Sequence, residues 1–180
     1  MKKKTIKLHD KEFTIFKTEK QIKKVIKKLA DHLNKINLEN SVFIPVLNGS
    51  FMFTSDLCKE LNSSPEIQFI KLKSYEGTNT TGVVKEVIGL NSSLEGRTIV
   101  IVEDIIDTGI TITDLYYKIK SLNPKEIYVV TLLFKPGKYI NGAGVDILYG
   151  FSIPDDFVVG YGMDYNNIGR SLKEIYVSNQ

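Results

Sequence analysis

The sequence predicts an α/β fold in which a mainly parallel sheet is flanked by helices. Two runs carry that prediction, TIVIV at residues 98–102 and IYVVTLLF at residues 127–134. Both are apolar on both faces, the pattern of strands buried between layers in a parallel sheet. Between them Ile112, Leu115, Tyr116, Ile119 and Leu122 recur at helical spacing, and Asn123-Pro124 stops the helix. Strand, helix and strand in that order make a βαβ unit.

The remaining elements follow in chain order. Residues 18–36 predict an amphipathic helix, with Ile22, Val25, Ile26, Leu29, Leu33 and Ile36 on one face and lysines opposite. Thr18 and Gln21 have capping-box spacing at its start. Residues 42–47 (VFIPVL) form a short apolar run that ends in Asn48-Gly49. Pro45 has no N–H to give to a ladder, so this strand is expected to be short or irregular. Residues 51–61 fit a second helix and residues 67–72 another strand. Residues 74–82 (SYEGTNTTG) are small, polar and turn-prone, which suggests a long mobile loop, and residues 83–90 return to apolar character.

Composition sets the outer limits. A chain of 180 residues fits one domain, residues 1–180, with a full core. Its 42% hydrophobic and 25% charged residues are ordinary for a soluble globular protein. A formal net charge of +3 is too small to argue for a nucleic-acid partner. Lys20, Lys23, Lys24, Lys27 and Lys28 read as a solvated helix face. Cys58 is the only cysteine, so no intrachain disulfide forms, and it reads as a packing residue. MKKKTIKLHD is followed by no apolar segment of the kind a signal peptide carries, and no run approaches the length of a membrane span. The expectation is a soluble cytoplasmic protein with no membrane partner.

Ligands of such sheets bind beyond the carboxyl ends of the strands. That rule points to Asn48-Gly49, to residues 103–111 and to Lys135. The richest of these stretches is VEDIIDTGIT at residues 102–111. Glu103 and Asp104 stand where a buried strand ends, and leaving both charges there uncompensated is costly. A metal, a set of hydroxyls or basic groups must satisfy them. Asp107, Thr108, Gly109, Ile110 and Thr111 then lead into a helix, where free backbone N–H groups and the helix dipole favour a phosphate. Taken singly, these residues do no more than cap a loop and a helix. Taken as one string, they point to a phosphorylated, hydroxyl-bearing, metal-associated ligand.

VEDIIDTGIT resembles the phosphoribosyl pyrophosphate signature of the type I phosphoribosyltransferases. The resemblance implies the fold of that family, with a small hood and a mobile loop beside the sheet. It implies that Glu103 and Asp104 hold the ribose hydroxyls directly or through magnesium. It also implies that Asp107, Thr108, Gly109, Ile110 and Thr111 grip the 5-phosphate, with Asp107 as catalytic base. Ile110 stands where some relatives carry a polar residue.

The resemblance extends over most of the chain to the hypoxanthine-guanine branch. Leu47-Asn48-Gly49 is similar to its pyrophosphate loop, which implies a cis peptide before Asn48; many relatives have Lys there. Ser74-Tyr75 resembles the pair that opens the branch's mobile lid. Lys135 in LLFKP is implied to donate to the purine 6-oxo group, and Lys138 stands near a position where relatives have Arg. In IPDDFVVGYGMDYN, residues 153–166, Phe157 is implied to stack on the purine and Val158 to bond its edge through the backbone. Asp164, near the base, is implied to hold a second magnesium on the pyrophosphate, and Arg170 to contact the pyrophosphate leaving group. Gly169 stands where relatives commonly have an aromatic residue. The substrates implied are a 6-oxopurine and phosphoribosyl pyrophosphate, with magnesium as cofactor and a homodimer or homotetramer as the assembly.

Three other readings compete. An adenine or pyrimidine enzyme of the same fold fits poorly with Lys135, Phe157 and the 153–166 segment, while xanthine stays an alternative base. A non-catalytic regulator would need a nucleic-acid element, and the lysine-rich helix is the only candidate surface. A generic phosphate-binding protein leaves the 153–166 segment without a purpose.

Overall fold

A computed structural model of the chain describes residues 4–73, 85–88, 93–140 and 144–179. Two sheets organise it. Strands β1 (Thr5–Leu8) and β2 (Lys11–Lys17) form a hairpin, and helix α1 (Glu19–Leu33) follows. Strand β3 (Ser41–Leu47), helix α2 (Phe51–Lys59) and strands β4 (Glu66–Ile67), β5 (Ile70–Lys73) and β6 (Lys85–Ile88) come next. Then come β7 (Thr98–Ile106), α3 (Ile110–Lys120), β8 (Glu126–Phe134), β9 (Ile147–Ser152), β10 (Val158–Val159) and β11 (Ile175–Ser178). The larger sheet has the order β6-β5-β3-β7-β8-β9, with β4 beside β3. All its pairings are parallel except β5 with β6. The smaller sheet is antiparallel, in the order β1-β2-β11-β10, and forms the hood.

Alternation along the central strands separates two cores. Val100 and Val102 pack with Ile22, Ile26 and Leu29 of α1 and Phe53 of α2. Ile99 and Ile101 pack with Ile112, Leu115 and Ile119 of α3. The βαβ unit therefore stands as the sequence predicts. The α1 capping box is also present, with Thr18 and Gln21 bonding each other's backbone N–H. The helix ends at Leu33 rather than Ile36, but Ile36 still packs on the core.

Two strand expectations need correction. β3 is neither short nor irregular: it has seven residues and lies inside the larger sheet. Phe43 O accepts from Gln68 N, so by alternation Pro45 turns its missing N–H to the same edge. There the partner changes from β4, which pairs at Phe43, to β5, which begins pairing at Val46. Pro45 falls in that gap, where no ladder bond is lost. The second correction concerns β7, which does not end at Glu103 and Asp104 but runs on to Ile106, because β8 pairs with it as far as Phe134. Residues 67–72 likewise divide into β4 and β5.

Candidate active site

Glu103 and Asp104 lie near the end of β7, and their side chains hydrogen-bond each other. Glu103 lines a cavity of about 180 Å³ together with Asp107, Thr108, Gly109 and Thr111. Asp104 lines a second cavity of about 240 Å³. Asp107 and Ile105 line both, so the two cavities adjoin there. Burial pushes the Glu103 carboxyl well above the usual range, and the neighbouring Asp104 charge adds to this. Asp104 is also raised by burial, against the opposing pull of its hydrogen bonds and of Arg170. Neither carboxylate makes an ion pair among the described residues.

The first cavity is walled by the loop that leads into α3. Gly109 is the N-cap, at φ 81°, and gives no side chain to cap the helix. The ring of Tyr139 fills the space that a Cβ on Gly109 would need. Ile140 N also donates to Thr108 O at 2.9 Å, so the turn after β8 braces this loop.

The second cavity lies between the sheets. Asp104, Asp107 and Lys135 face it from the larger sheet, and Phe157, Val158, Asp164 and Arg170 from the hood side. Lys135 is buried, and its ammonium lies 3.2 Å from Asp107 Oδ2 and 3.3 Å from Asp155 Oδ1. Asp107 Oδ1 is buried and has no hydrogen-bond partner among the described residues. Phe157 is 40% exposed, which leaves ring surface free toward the cavity. Arg170 bonds Asp164 Oδ1 at 2.6 Å and Gly162 O at 2.9 Å, while Asn167 N donates to Asp164 Oδ2.

The loop at residues 47–49 joins these parts. The Leu47–Asn48 peptide is cis, as the resemblance implies. Asn48 is exposed and Gly49 buried. A Cβ on Gly49 would collide with the Asp104 carboxylate, and one on Gly162 with the Gly49 carbonyl. Gly162, Gly49 and Asp104 are thus in direct succession. Ser74 and Tyr75 lie outside the described residues.

Five contributors escaped the sequence reading. Lys11 places its ammonium 5.6 Å from the Phe157 ring centroid and 5.2 Å from that of Tyr165. Phe13 and Tyr165 also flank Phe157, and Tyr165 donates to Asp10. Tyr161 donates to Asp56 on α2, and burial pushes its hydroxyl pKa up. Asp155 binds Lys138 as well as Lys135, and those two cations hold its carboxyl below the usual range. Asp155, Tyr161 and Tyr165 lie within the 153–166 segment without a role assigned to them there, and Lys11 and Phe13 gave no signal in sequence.

Among the described residues no cluster of three His, Cys, Asp or Glu side chains is present. No described helix is long and apolar enough to cross a membrane.

The phosphoribosyl transferase domain model matches residues 14–166. The hypoxanthine phosphoribosyltransferase of Escherichia coli strain K12 is 42% identical over 135 residues, 74% of this chain and 75% of that protein. The hypoxanthine-guanine phosphoribosyltransferase of Staphylococcus aureus strain Mu50 is 38% identical over 161 residues, 88% of this chain and 89% of that one. A crystal structure of a Staphylococcus aureus hypoxanthine phosphoribosyltransferase superposes with a TM-score of 0.83 at 36% identity, over 91% of this chain and 90% of that one. The fold accords with these similarities, and the chain belongs to the phosphoribosyl transferase family, in its hypoxanthine(-guanine) branch.

Proposed function

We propose that the protein transfers the 5-phosphoribosyl group of phosphoribosyl pyrophosphate to N9 of hypoxanthine or guanine and releases pyrophosphate. The observation that carries this reading is the junction of two cavities at Asp107, one walled by a helix N-terminus and the other by Lys135 and Phe157. The first suits a phosphate, because the N-cap Gly109 puts no side chain over the N–H groups at the start of α3, and only Thr108 Oγ1 reaches one of them, Ile110 N, at 3.5 Å. The second suits a flat base with an acceptor. Lys135 is donor-only, so it accepts the 6-oxo group of hypoxanthine or guanine as a partner and opposes the 6-amino group of adenine.

In the reaction N9 attacks the anomeric carbon, the bond to pyrophosphate breaks, and the sugar passes through an oxocarbenium-like state. Asp107 accepts the proton lost from N7; its side chain lines the base cavity beside Lys135. Phe157 and the Val158 backbone fix the base, while the phosphate loop fixes the sugar, so that alignment supplies much of the rate. Arg170 leaves Asp164 to meet the departing pyrophosphate, where a planar cation suits phosphate oxygens. The loop at Leu47, Asn48 and Gly49 borders the same group. Ser74 and Tyr75 belong to the lid that excludes water in this reading.

Magnesium fits the donors present. Mg²⁺ typically takes one or two carboxylates and fills its sphere with water and substrate phosphates, so it needs no three-residue cage. Asp104 is buried and Glu103 half-buried, neither has an ion-pair partner among the described residues, and Asp164 would hold a second magnesium on the pyrophosphate. Bound there, magnesium would neutralise pyrophosphate and orient the ribose hydroxyls. A cytoplasmic homodimer or homotetramer belongs to the same reading.

The test is a product assay with purified protein and phosphoribosyl pyrophosphate, with and without magnesium. Hypoxanthine, guanine, xanthine and adenine are offered separately. Nucleotide from hypoxanthine or guanine, dependent on magnesium, is the expected result. No nucleotide from any base, with phosphoribosyl pyrophosphate still bound, would favour a non-catalytic regulator instead.

A further inference from the structure

Lys135 carries three N–H donors, and two carboxylates engage it. Asp107 Oδ2 lies at 3.2 Å and Asp155 Oδ1 at 3.3 Å. The same Asp155 oxygen lies 2.7 Å from Lys138 Nζ. Lys138, Asp155, Lys135 and Asp107 thus form a chain of alternating charge. Its outer members, Lys138 and Asp155, have side chains 43% and 53% exposed, whereas that of Lys135 is 8% exposed. The turn holding Lys138 is itself fixed, since Lys138 N donates to Lys135 O.

An ammonium is tetrahedral, so tethering two of its protons leaves one direction for the third. Lys135 lines the cavity that also holds Phe157 and Val158, and neither tether uses its third N–H. Sharing also matters for Asp107. A cation divided between two carboxylates neutralises each less than one paired with a single acid.

We propose that Asp155, clamped by Lys138, is a positioning residue that aims the purine-facing N–H of Lys135 and keeps its ammonium from closing on Asp107 alone. The inference rests on the reading above, in which Lys135 meets the 6-oxo group and Asp107 takes the proton. It gives Lys138 a purpose that its place in the sequence leaves open. Removing the Asp155 charge should let Lys135 turn to Asp107, so the base is held less well and the proton acceptor is more fully neutralised.

The experiment is steady-state kinetics on wild type, Asp155→Asn, Asp155→Glu, Lys138→Met and the double variant Asp155→Asn/Lys138→Met. KM is measured for hypoxanthine and for phosphoribosyl pyrophosphate, with adenine as competitor. Asp155→Asn should raise the hypoxanthine KM about five- to tenfold, the range for a partly exposed charge-assisted bond. It should also lower kcat and weaken selectivity against adenine, with the phosphoribosyl pyrophosphate KM changed less than about twofold. Asp155→Glu should recover most of the loss. Lys138→Met should raise the hypoxanthine KM about twofold alone and add nothing to Asp155→Asn, because its effect passes through Asp155.

An unchanged hypoxanthine KM in Asp155→Asn, an equal rise in both KM values, or an additive effect of Lys138→Met would overturn the inference. If Asp155→Asn loses its cooperative melting transition, the hypoxanthine KM of Lys138→Met decides alone. A wild type that makes no nucleotide from any base would instead overturn the functional reading itself, and the inference with it.

Discussion

The two cavities are built in different ways. The cavity proposed for the phosphate is lined from one stretch, residues 103–112, on a strand, a loop and the first turn of a helix. The base side is assembled from afar: Lys135 follows β8, Phe157 precedes β10, and the ring of Phe157 is backed by Lys11 and Phe13 of β2. A contiguous site depends mainly on backbone groups whose direction the local fold dictates. An assembled site depends on side chains whose positions need two sheets to be docked. Damage to the first should therefore be abrupt, and damage to the second graded.

The largest effect is expected at the junction. Asp107→Asn should cut kcat by about 10²–10⁴, the usual contribution of a general base, while phosphoribosyl pyrophosphate binding persists. Stopped assays with a parallel binding titration would show this, and near-normal turnover would remove Asp107 from that role. Gly49→Ala comes next, because its Cβ has no space beside the Asp104 carboxylate. It should displace the 47–49 loop, raise the KM for phosphoribosyl pyrophosphate at least about tenfold and lower Tm, since overpacking costs about 1–3 kcal/mol. A variant with native Tm and KM would show that the loop yields without consequence.

On the assembled side the changes should be smaller. Lys135→Ala should raise the purine KM about tenfold and narrow the preference for hypoxanthine over adenine, in keeping with the loss of one charged hydrogen bond. Equal affinity and unchanged selectivity would take Lys135 out of the base site. Lys11→Met should raise the purine KM only about two- to fourfold, the scale of an exposed cation–π contact, with kcat and the other KM unaltered. A much larger loss there would mean that the hairpin holds the hood together rather than steadying Phe157.

The same contrast explains what the sequence disclosed. VEDIIDTGIT was legible because strand, phosphate loop and helix start are adjacent, so hydrophobic periodicity and loop chemistry describe one object. The α1 cap was legible for the same reason, with Thr18 and Gln21 three residues apart. Pro45 misled, because its cost depends on which neighbouring strand it faces and where that strand changes. The end of β7 was placed too early, because Glu103 and Asp104 look like loop residues until β8 pairs beyond them. Lys138 had no readable purpose because its partner, Asp155, is close only after β8 and β9 align. Lys11 lies before residue 14, where the family match begins, and approaches Phe157 only through the pairing of β2 with β11 and of β11 with β10.

The most direct test of the two-cavity account is a crystal structure with inosine or guanosine 5′-monophosphate bound. The account predicts the 5′-phosphate on the N–H groups of residues 108–111, the purine ring against Phe157, and its 6-oxo group within hydrogen-bond distance of Lys135 Nζ. A phosphate held elsewhere, or a base whose 6-oxo group points away from Lys135, would contradict it.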